Sequence, residues 1–251
     1  MKRADLVDYL DDYLDISTGS DYGPNGLQVE GRDEIETVVT GVSACVELFD
    51  RAADLDADAV LVHHGLFWDG QPSTLVGFRA RRVRTLIEND LNLLAYHLPL
   101  DRHGVLGNNV LAARAFGLVD LATFAANRGI DIGWHGRFEE PISAAELRRR
   151  TTEVFGQEPL MFPAGPDPAR TLGIVAGGAQ RDVYAAIDLG LDAFITGEVS
   201  EWVMNVVREA GIHYLSAGHY ATERSGIRAL GEHVAERFGL RVEFIDVPNP
   251  V

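Results

Sequence analysis

Two adjacent histidines, His63 and His64, are the strongest chemical signal in the sequence. They end the aliphatic run 59–62 and are followed by Gly65, so they lie where a buried strand gives way to a loop. In open α/β sheets, ligands bind at this carboxyl edge. A single histidine there is more often a satisfied, partly buried ring. Two adjacent imidazoles at a buried edge each need polar partners, which favours a metal site.

A second signal is the pattern H-x-x-x-D/E, which occurs twice, as His97 with Asp101 and as His219 with Glu223. Each pair joins a neutral nitrogen ligand to a hard carboxylate, a combination that suits zinc, iron, manganese or nickel. One such pattern is common by accident on helices. Because it recurs after two predicted strands, it indicates a ligand set shared with the histidine pair.

The elements that must position these residues alternate between strands and helices. After an amphipathic helix at 4–14 and a turn-rich segment at 21–31, the pattern predicts strands near 37–43, 58–63 and 92–97 and helices near 45–54, 79–89 and 108–116. Residues 118–170 interrupt this order, with a strand candidate at 129–138 and a helix capped by Ser143 with Glu146 three residues later. The alternation then resumes, with strands near 172–176, 192–196, 212–216 and 240–246 and helices near 181–189, 199–210 and 222–238.

The second half of the chain repeats the first. Residues 56–68 align without a gap on 190–202, and 92–101 align on 214–223, which pairs His97 with His219 and Asp101 with Glu223. Two matches in the same order favour duplication over coincidence. We therefore predict an α/β fold of two duplicated units with mixed sheets flanked by helices and the metal site between them. The expected division is 1–120, a connecting segment 121–170, and 171–251.

Composition limits the classes of partner. The 251 residues include 38 acidic and 22 basic side chains, a formal net charge of −16, which argues against nucleic-acid or anionic-membrane binding by the whole surface. No apolar run reaches the roughly 20 residues of a membrane helix, and the first residues lack a signal-peptide core, so a cytoplasmic protein is expected. Cys45 is the only cysteine, which excludes an intrachain disulfide and a thiolate cluster.

The kind of charge is unusual, since Lys2 is the only lysine. Abundant carboxylates with almost no lysine favour a surface adapted to high salt, a halophilic protein. A genome rich in G and C would explain the missing lysine but not the acidity.

The segments HHGLFW, LPLD followed by GNN, and GHYATE resemble the YbgI-like dinuclear-metal proteins, commonly labelled GTP cyclohydrolase 1 type 2 homologues and related to NGG-interacting factors. The loop NGLQVEG and the segment ITGEV fit the same family, so the resemblance extends over nearly the whole chain. The family usually has proline after the histidine pair. Gly65 stands there in this sequence, which loosens the loop and leaves the ligand atoms intact.

The resemblance implies which residues bind the two divalent metal ions and that Glu223 bridges the ions. The implied ligands are His63, His64, Asp101, His219 and Glu223. It places His97 beside them as an additional ligand or a catalytic proton carrier. It also implies a toroidal homohexamer and hydrolysis of a small molecule such as a nucleotide.

Two functions from different classes remain open at this stage. The first is a metal-dependent hydrolase of a nucleotide or related phosphorylated molecule, in which metals activate water and stabilise developing charge. The second is a non-enzymatic ring protein that stores, delivers or senses metal. Arg79, Arg81, Arg82 and Arg84 form a basic cluster that could line a phosphate path or be a solvated helix face. The segment 176–178 could bind an anion through its amides or be a tight turn.

Overall fold

The computed structural model describes all residues 1–251, and the chain divides into two compact units. The first contains Met1–Leu100 and Gly226–Val247, and the second contains Asp101–Ser225 and Pro248–Val251. Helices and strands up to residue 102 are α1 (Arg3–Tyr13), β1 (Gly26–Val29), β2 (Thr37–Ser43), α2 (Val46–Asp54), β3 (Ala59–His64), α3 (Phe78–Glu88), β4 (Asn92–Ala95) and α4 (Leu98–Arg102).

The remaining elements begin with α5 (Asn108–Ala115), β5 (Val119–Asn127), β6 (Ile130–Ile142), α6 (Ala144–Phe155), β7 (Leu160–Phe162) and β8 (Ala169–Ile174). A 3-10 turn (Gln180–Asp182) then leads into α7 (Val183–Asp188), β9 (Ala193–Thr196), α8 (Val203–Ala210), β10 (His213–Ser216), α9 (His219–Phe238) and β11 (Arg241–Phe244).

The first unit is built on a five-stranded sheet in the order β1-β4-β3-β2-β11, in which only β1 is antiparallel to its neighbour. The strand that carries the histidine pair, β3, lies in the middle. Its residues 59–63 are buried because helices cover a parallel sheet on its faces. The core around it includes Leu48, Phe49, Leu86 and Leu93.

The second unit is built on a six-stranded sheet in the order β5-β6-β8-β9-β10-β7. Strands β8, β9 and β10 are parallel, whereas β5, β6 and β7 pair antiparallel with their neighbours. Its core includes Phe116, Phe155, Leu172, Ile195 and Leu215. Both units are therefore mixed α/β layers, which confirms the predicted fold class.

The duplication is visible in the order of elements. In each copy a helix precedes an antiparallel edge strand, and three parallel strands with intervening helices follow: α1-β1-β2-α2-β3-α3-β4 and α6-β7-β8-α7-β9-α8-β10. Equivalent aspartates of the two copies accept equivalent hydrogen bonds. Asp58 accepts hydrogen bonds from the Glu36 and Thr37 amides at 2.8 and 2.9 Å, and Asp192 accepts them from the Arg170 and Thr171 amides at 2.7 and 3.0 Å.

The boundaries of the units differ from the division expected from sequence. The second copy begins at α6, inside the expected connecting segment, whose other part forms the antiparallel pair β5 and β6. The last strand, β11, pairs with β2, so 226–247 belong with the start of the chain. The capping prediction is confirmed, because the Ser143 hydroxyl accepts a hydrogen bond from the Glu146 amide at 3.1 Å.

No helix in the structure combines the length and the hydropathy needed to cross a membrane.

Candidate metal centre

Three histidine rings meet at the carboxyl edge of the first unit's sheet. His63 and His64 end β3, and His97 follows β4, the neighbouring parallel strand. The ring centroid of His63 is 4.6 Å from that of His64 and 5.1 Å from that of His97. One ligand nitrogen from each ring lies within 4.8 Å of the others, a spacing that can hold a metal ion. We call these three residues the histidine cluster.

Each ring of the cluster is held through its Nδ1 atom. The partners are the Tyr96 carbonyl oxygen for His63, the Ser43 hydroxyl for His64 and an Asp21 carboxylate oxygen for His97, at 3.0, 3.0 and 2.7 Å. A neutral imidazole that donates from Nδ1 carries its lone pair on Nε2. Such partners orient metal-binding histidines. The partners of His63 and His97 can only accept, so they also fix the tautomer of these two rings and leave Nε2 for ligation.

Asp21 organises the loop beside His97. Its carboxylate also accepts hydrogen bonds from the Leu98 and Tyr22 amides at 2.9 and 2.6 Å and from the Asn25 side chain at 2.9 Å. Burial raises the pKa of Asp21, but its hydrogen bonds and the His97 charge outweigh burial and lower the pKa to about 2. Asp21 is therefore ionised and orients the His97 ring at neutral pH.

Gly65 follows the cluster, and the structure shows why this chain has glycine there. A Cβ atom at this position would lie 2.4 Å from both the Nε2 and Oε1 atoms of Gln28. The Gln28 amide is held in place, because it donates to the Pro24 carbonyl oxygen at 2.7 Å and accepts from the Leu66 amide at 2.8 Å. Gln28 thus occupies the space that a side chain at position 65 would need.

The second unit contributes a buried set of acidic and histidine side chains at the start of α9. The His219 Nε2 atom is 3.2 Å from a Glu223 carboxylate oxygen, one helical turn away. Asp101 and Glu223 are 5% and 2% exposed and have carboxylate oxygens within 4.8 Å of one another. The Asn108 side chain donates to Asp101 at 2.9 Å. Two buried carboxylates at this separation repel each other, and a positive charge beside them would stabilise both.

Electrostatics of this set favour a cation. Glu198 accepts from the His219 Nδ1 atom at 2.6 Å, and Glu223 faces the opposite side of the ring. Burial lowers the pKa of His219, but the two carboxylates outweigh it and raise the pKa to about 9. Carboxylates that hold a proton on the ring so firmly would also stabilise a divalent ion in its place.

The glycine pair after β8 forms a turn that packs against Glu223. The Gly177 backbone has a positive φ of 70°, and a Cβ atom there would lie 2.1 Å from the Glu223 carboxylate. Its amide donates to the Thr222 hydroxyl at 3.0 Å, and the Ala176 amide donates to the Asn109 side chain at 2.7 Å. These two amides are used inside the protein, which favours the turn interpretation over the anion interpretation.

The structure thus brings His63, His64 and His97 together in one unit and Asp101, His219 and Glu223 together in the other. The donor groups are imidazoles and carboxylates, which fit a divalent transition metal. Sequence reasoning missed the residues that orient the ligands, which are Asp21, Ser43 and Glu198. Asp21 lies in a loop 76 residues before its histidine, and no local pattern joins the two.

Comparison with known proteins gives the class of this chain. The family model described as Duf34/NIF3 (NGG1p interacting factor 3) matches residues 1–250. The chain belongs to the DUF34/NIF3 family, and the resemblance found in the sequence is confirmed.

Individual relatives cover the full length. A protein of Pseudomonas aeruginosa named GTP cyclohydrolase 1 type 2 homolog is 46% identical over 245 residues, 98% of this chain and 97% of its own. The solved structure titled protein ybgI, of unknown function, is 42% identical with a TM-score of 0.93, and both chains are covered completely. The protein TTHA1606 from Thermus thermophilus is 38% identical with a TM-score of 0.89, again over the whole of both chains.

Proposed function

We propose that the histidine cluster and the acidic set of the second unit bind divalent metal ions, two in all, and that the protein is a metal-dependent hydrolase. The metal ligands in this proposal are His63, His64, Asp101, His219 and Glu223, with zinc, iron, manganese and nickel as the candidate metals. Divalent ions in such a site supply Lewis acidity, which activates water and stabilises negative charge on a substrate oxygen.

The proposal rests on how the ligand side chains are oriented and buried. The three cluster histidines are oriented through Nδ1, and two carboxylates are buried side by side in the second unit. Two like charges buried side by side are costly to maintain in a site that binds nothing. A cation relieves the repulsion and uses the oriented nitrogens.

His97 is the residue that we assign to proton transfer. Its Nδ1 atom is bound to ionised Asp21, so a proton can be taken up or released at Nε2, on the side of the other two rings. The substrate class, a nucleotide or another phosphorylated molecule, rests on the name shared by the relatives.

Metal content tests the ligand assignment. In the double variant D101A/E223A, bound metal should fall to a small fraction of the wild-type value, because the carboxylates that balance the charge are gone. Elemental analysis of folded protein, checked by circular dichroism, measures this. The matched control is D188A/E209A, which removes two exposed carboxylates of the same unit and should keep its metal. Wild-type metal content in a folded D101A/E223A protein would refute the ligand set.

A further inference from the structure

Helix α3 carries more positive charge than any other helix or strand of the protein. Its residues Arg79, Arg81, Arg82 and Arg84 form no ion pair in the structure, although acidic residues outnumber basic ones by 38 to 22. Several arginines elsewhere are paired with carboxylates, as are Arg149 and Arg150, which both contact Glu146 at 2.7 to 2.8 Å. In so acidic a chain, four arginines without carboxylates form a local positive surface that suits an anion.

Two of these arginines line a cavity, and the other two do not. Arg79 and Arg82 border an open cavity of about 200 Å³ between α3 and the loop that follows the histidine cluster. Their guanidinium carbons lie 5.1 and 5.4 Å from the centroid of the Phe78 ring, which is 54% exposed. The Nε atom of Arg79 is buried and makes no hydrogen bond. A buried donor without an acceptor is costly, so a ligand acceptor at this place would stabilise it.

One aromatic side chain lies beside both the cavity and the histidine cluster. Trp68 lines the cavity, and its ring centroid is 5.0 Å from that of His97 and 5.8 Å from that of His64. The indole nitrogen donates to the Gly65 carbonyl oxygen at 3.1 Å, which fixes the ring. Trp68 therefore borders both the cavity and the histidine cluster.

We propose that this cavity binds the phosphorylated aromatic part of the substrate, with Arg79 and Arg82 on the phosphate and Phe78 and Trp68 against a planar heterocycle. Guanidinium groups bind phosphate through charge-assisted hydrogen bonds, and aromatic rings stack on planar heterocycles. At about 200 Å³ the cavity is smaller than sites for a whole drug-sized ligand, so part of the molecule remains outside it. This inference rests on the proposed hydrolase function for its purpose.

The test compares two double variants of the same helix by isothermal titration calorimetry on the full-length protein. GMP is the probe, with guanosine and inorganic phosphate as its two parts. R79Q/R82Q removes the cavity arginines, and R81Q/R84Q removes the same charge from exposed positions that do not line the cavity. We expect R79Q/R82Q to weaken GMP binding at least tenfold and R81Q/R84Q to change it by less than about twofold. Guanosine and phosphate should each bind at least tenfold more weakly than GMP.

Three results would overturn the inference. Wild-type protein that does not bind GMP at millimolar concentration would exclude the ligand class. Equal weakening in both double variants would show a diffuse charge effect without a site. A change in self-association on sedimentation, with GMP binding unaltered, would make the surface a contact between copies of this chain.

The proposed function is judged by a different readout. Metal content should be the same in wild type and R79Q/R82Q, because neither arginine is assigned as a ligand. If D101A/E223A keeps its metal while R79Q/R82Q loses GMP, the cavity exists and the dinuclear site does not. The variant F78A provides a second check, because it should weaken GMP binding while leaving phosphate binding unchanged.

Discussion

His97 and His219 align in the two repeats, and each is held at Nδ1 by a carboxylate, Asp21 in one case and Glu198 in the other. Their surroundings differ. His97 lies among imidazoles, whereas His219 lies 3.2 Å from Glu223, a buried carboxylate. The same residue type therefore lies beside two imidazoles in one repeat and beside a second carboxylate in the other. This difference is the physical reason to assign proton transfer to the first and metal binding to the second.

We expect His97→Ala to keep at least one metal ion while turnover falls by about 10²–10⁴-fold, the usual effect of losing a general acid or base. His219→Ala should instead lose metal, because it removes a ligand from the anionic set. Elemental analysis and a nucleotide hydrolysis assay on the same preparations measure both effects. Complete metal loss in His97→Ala would reassign that residue as an essential ligand.

The contact of Gly65 with Gln28 gives a second prediction at the level of single residues. Gly65→Ala should destabilise the protein by about 1–3 kcal/mol, because its Cβ atom would displace the Gln28 amide and break two hydrogen bonds. In the Gln28→Ala background the same substitution should cost much less. Urea denaturation of the four proteins gives the coupling energy. Gly104→Ala, whose nearest neighbour would be 3.7 Å away, serves as the tolerant control, and additive effects would contradict the steric explanation.

The candidate ligands could be predicted from residue types in the sequence, but the residues that hydrogen-bond to them and to the adjoining loop could not. Adjacent histidines after an aliphatic run and a repeated H-x-x-x-D/E pattern are local and could be read directly. Asp21 and Gln28 meet their partners across 76 and 38 residues. Such pairs are set by how β1, β3 and β4 align, which depends on packing of the whole sheet.

The carboxylates of Asp58 and Asp192 each link the start of one parallel strand to the start of the next through hydrogen bonds from backbone amides. Asp58→Asn should lower the free energy of unfolding by about 1.5–3 kcal/mol at pH 7, because two amides lose a charged acceptor. Asp192→Asn should have a similar effect through its own two amides. The control is Asp54→Asn, at an exposed position on α2. Loss of stability in the control as large as in Asp58→Asn would contradict the assigned role.

The effect of Asp58 should also depend on pH. Burial raises the pKa of Asp58, but the amides of Thr37 and Glu36 and the Arg32 side chain outweigh it and lower the pKa below its usual 3.8. The stabilisation is therefore complete above about pH 4 and is lost as the pH falls through the folded-state pKa. The difference between wild type and Asp58→Asn should shrink between pH 7 and pH 3 in denaturant titrations.

Most elements followed from hydrophobic periodicity, and the exceptions have physical causes. The edge strands β1 and β7 have only four and three residues, too few for a periodic pattern, and β1 lies in a segment rich in turn residues. The pair β5 and β6 is antiparallel and partly exposed, with small residues interrupting the alternation. The return of β11 to β2 is a tertiary pairing that no local pattern encodes.

For the whole molecule, the net charge of −16 predicts a dependence on salt. Raising sodium chloride from about 0.1 to 1 M shortens the Debye length from roughly 10 to 3 Å and screens repulsion among the carboxylates. We expect the melting temperature to rise by at least about 3 °C, equivalent to roughly 1 kcal/mol for a chain of this size. Sedimentation at both concentrations tests whether the homohexamer implied by the family resemblance also forms more readily. An unchanged melting temperature would contradict the salt-adapted interpretation.

The pairing of β11 with β2 has a consequence for biosynthesis. All strands of the second unit's sheet have been made once residue 216 is synthesised, whereas the sheet that carries His63 and His64 needs residues 241–244. Until those residues emerge from the ribosome, β2 presents an unpaired edge of buried character, and such edges recruit other chains. The sheet whose first strand is made first is therefore the last to be completed, and we expect a nascent chain that lacks residues 241–244 to aggregate more readily than the full-length chain.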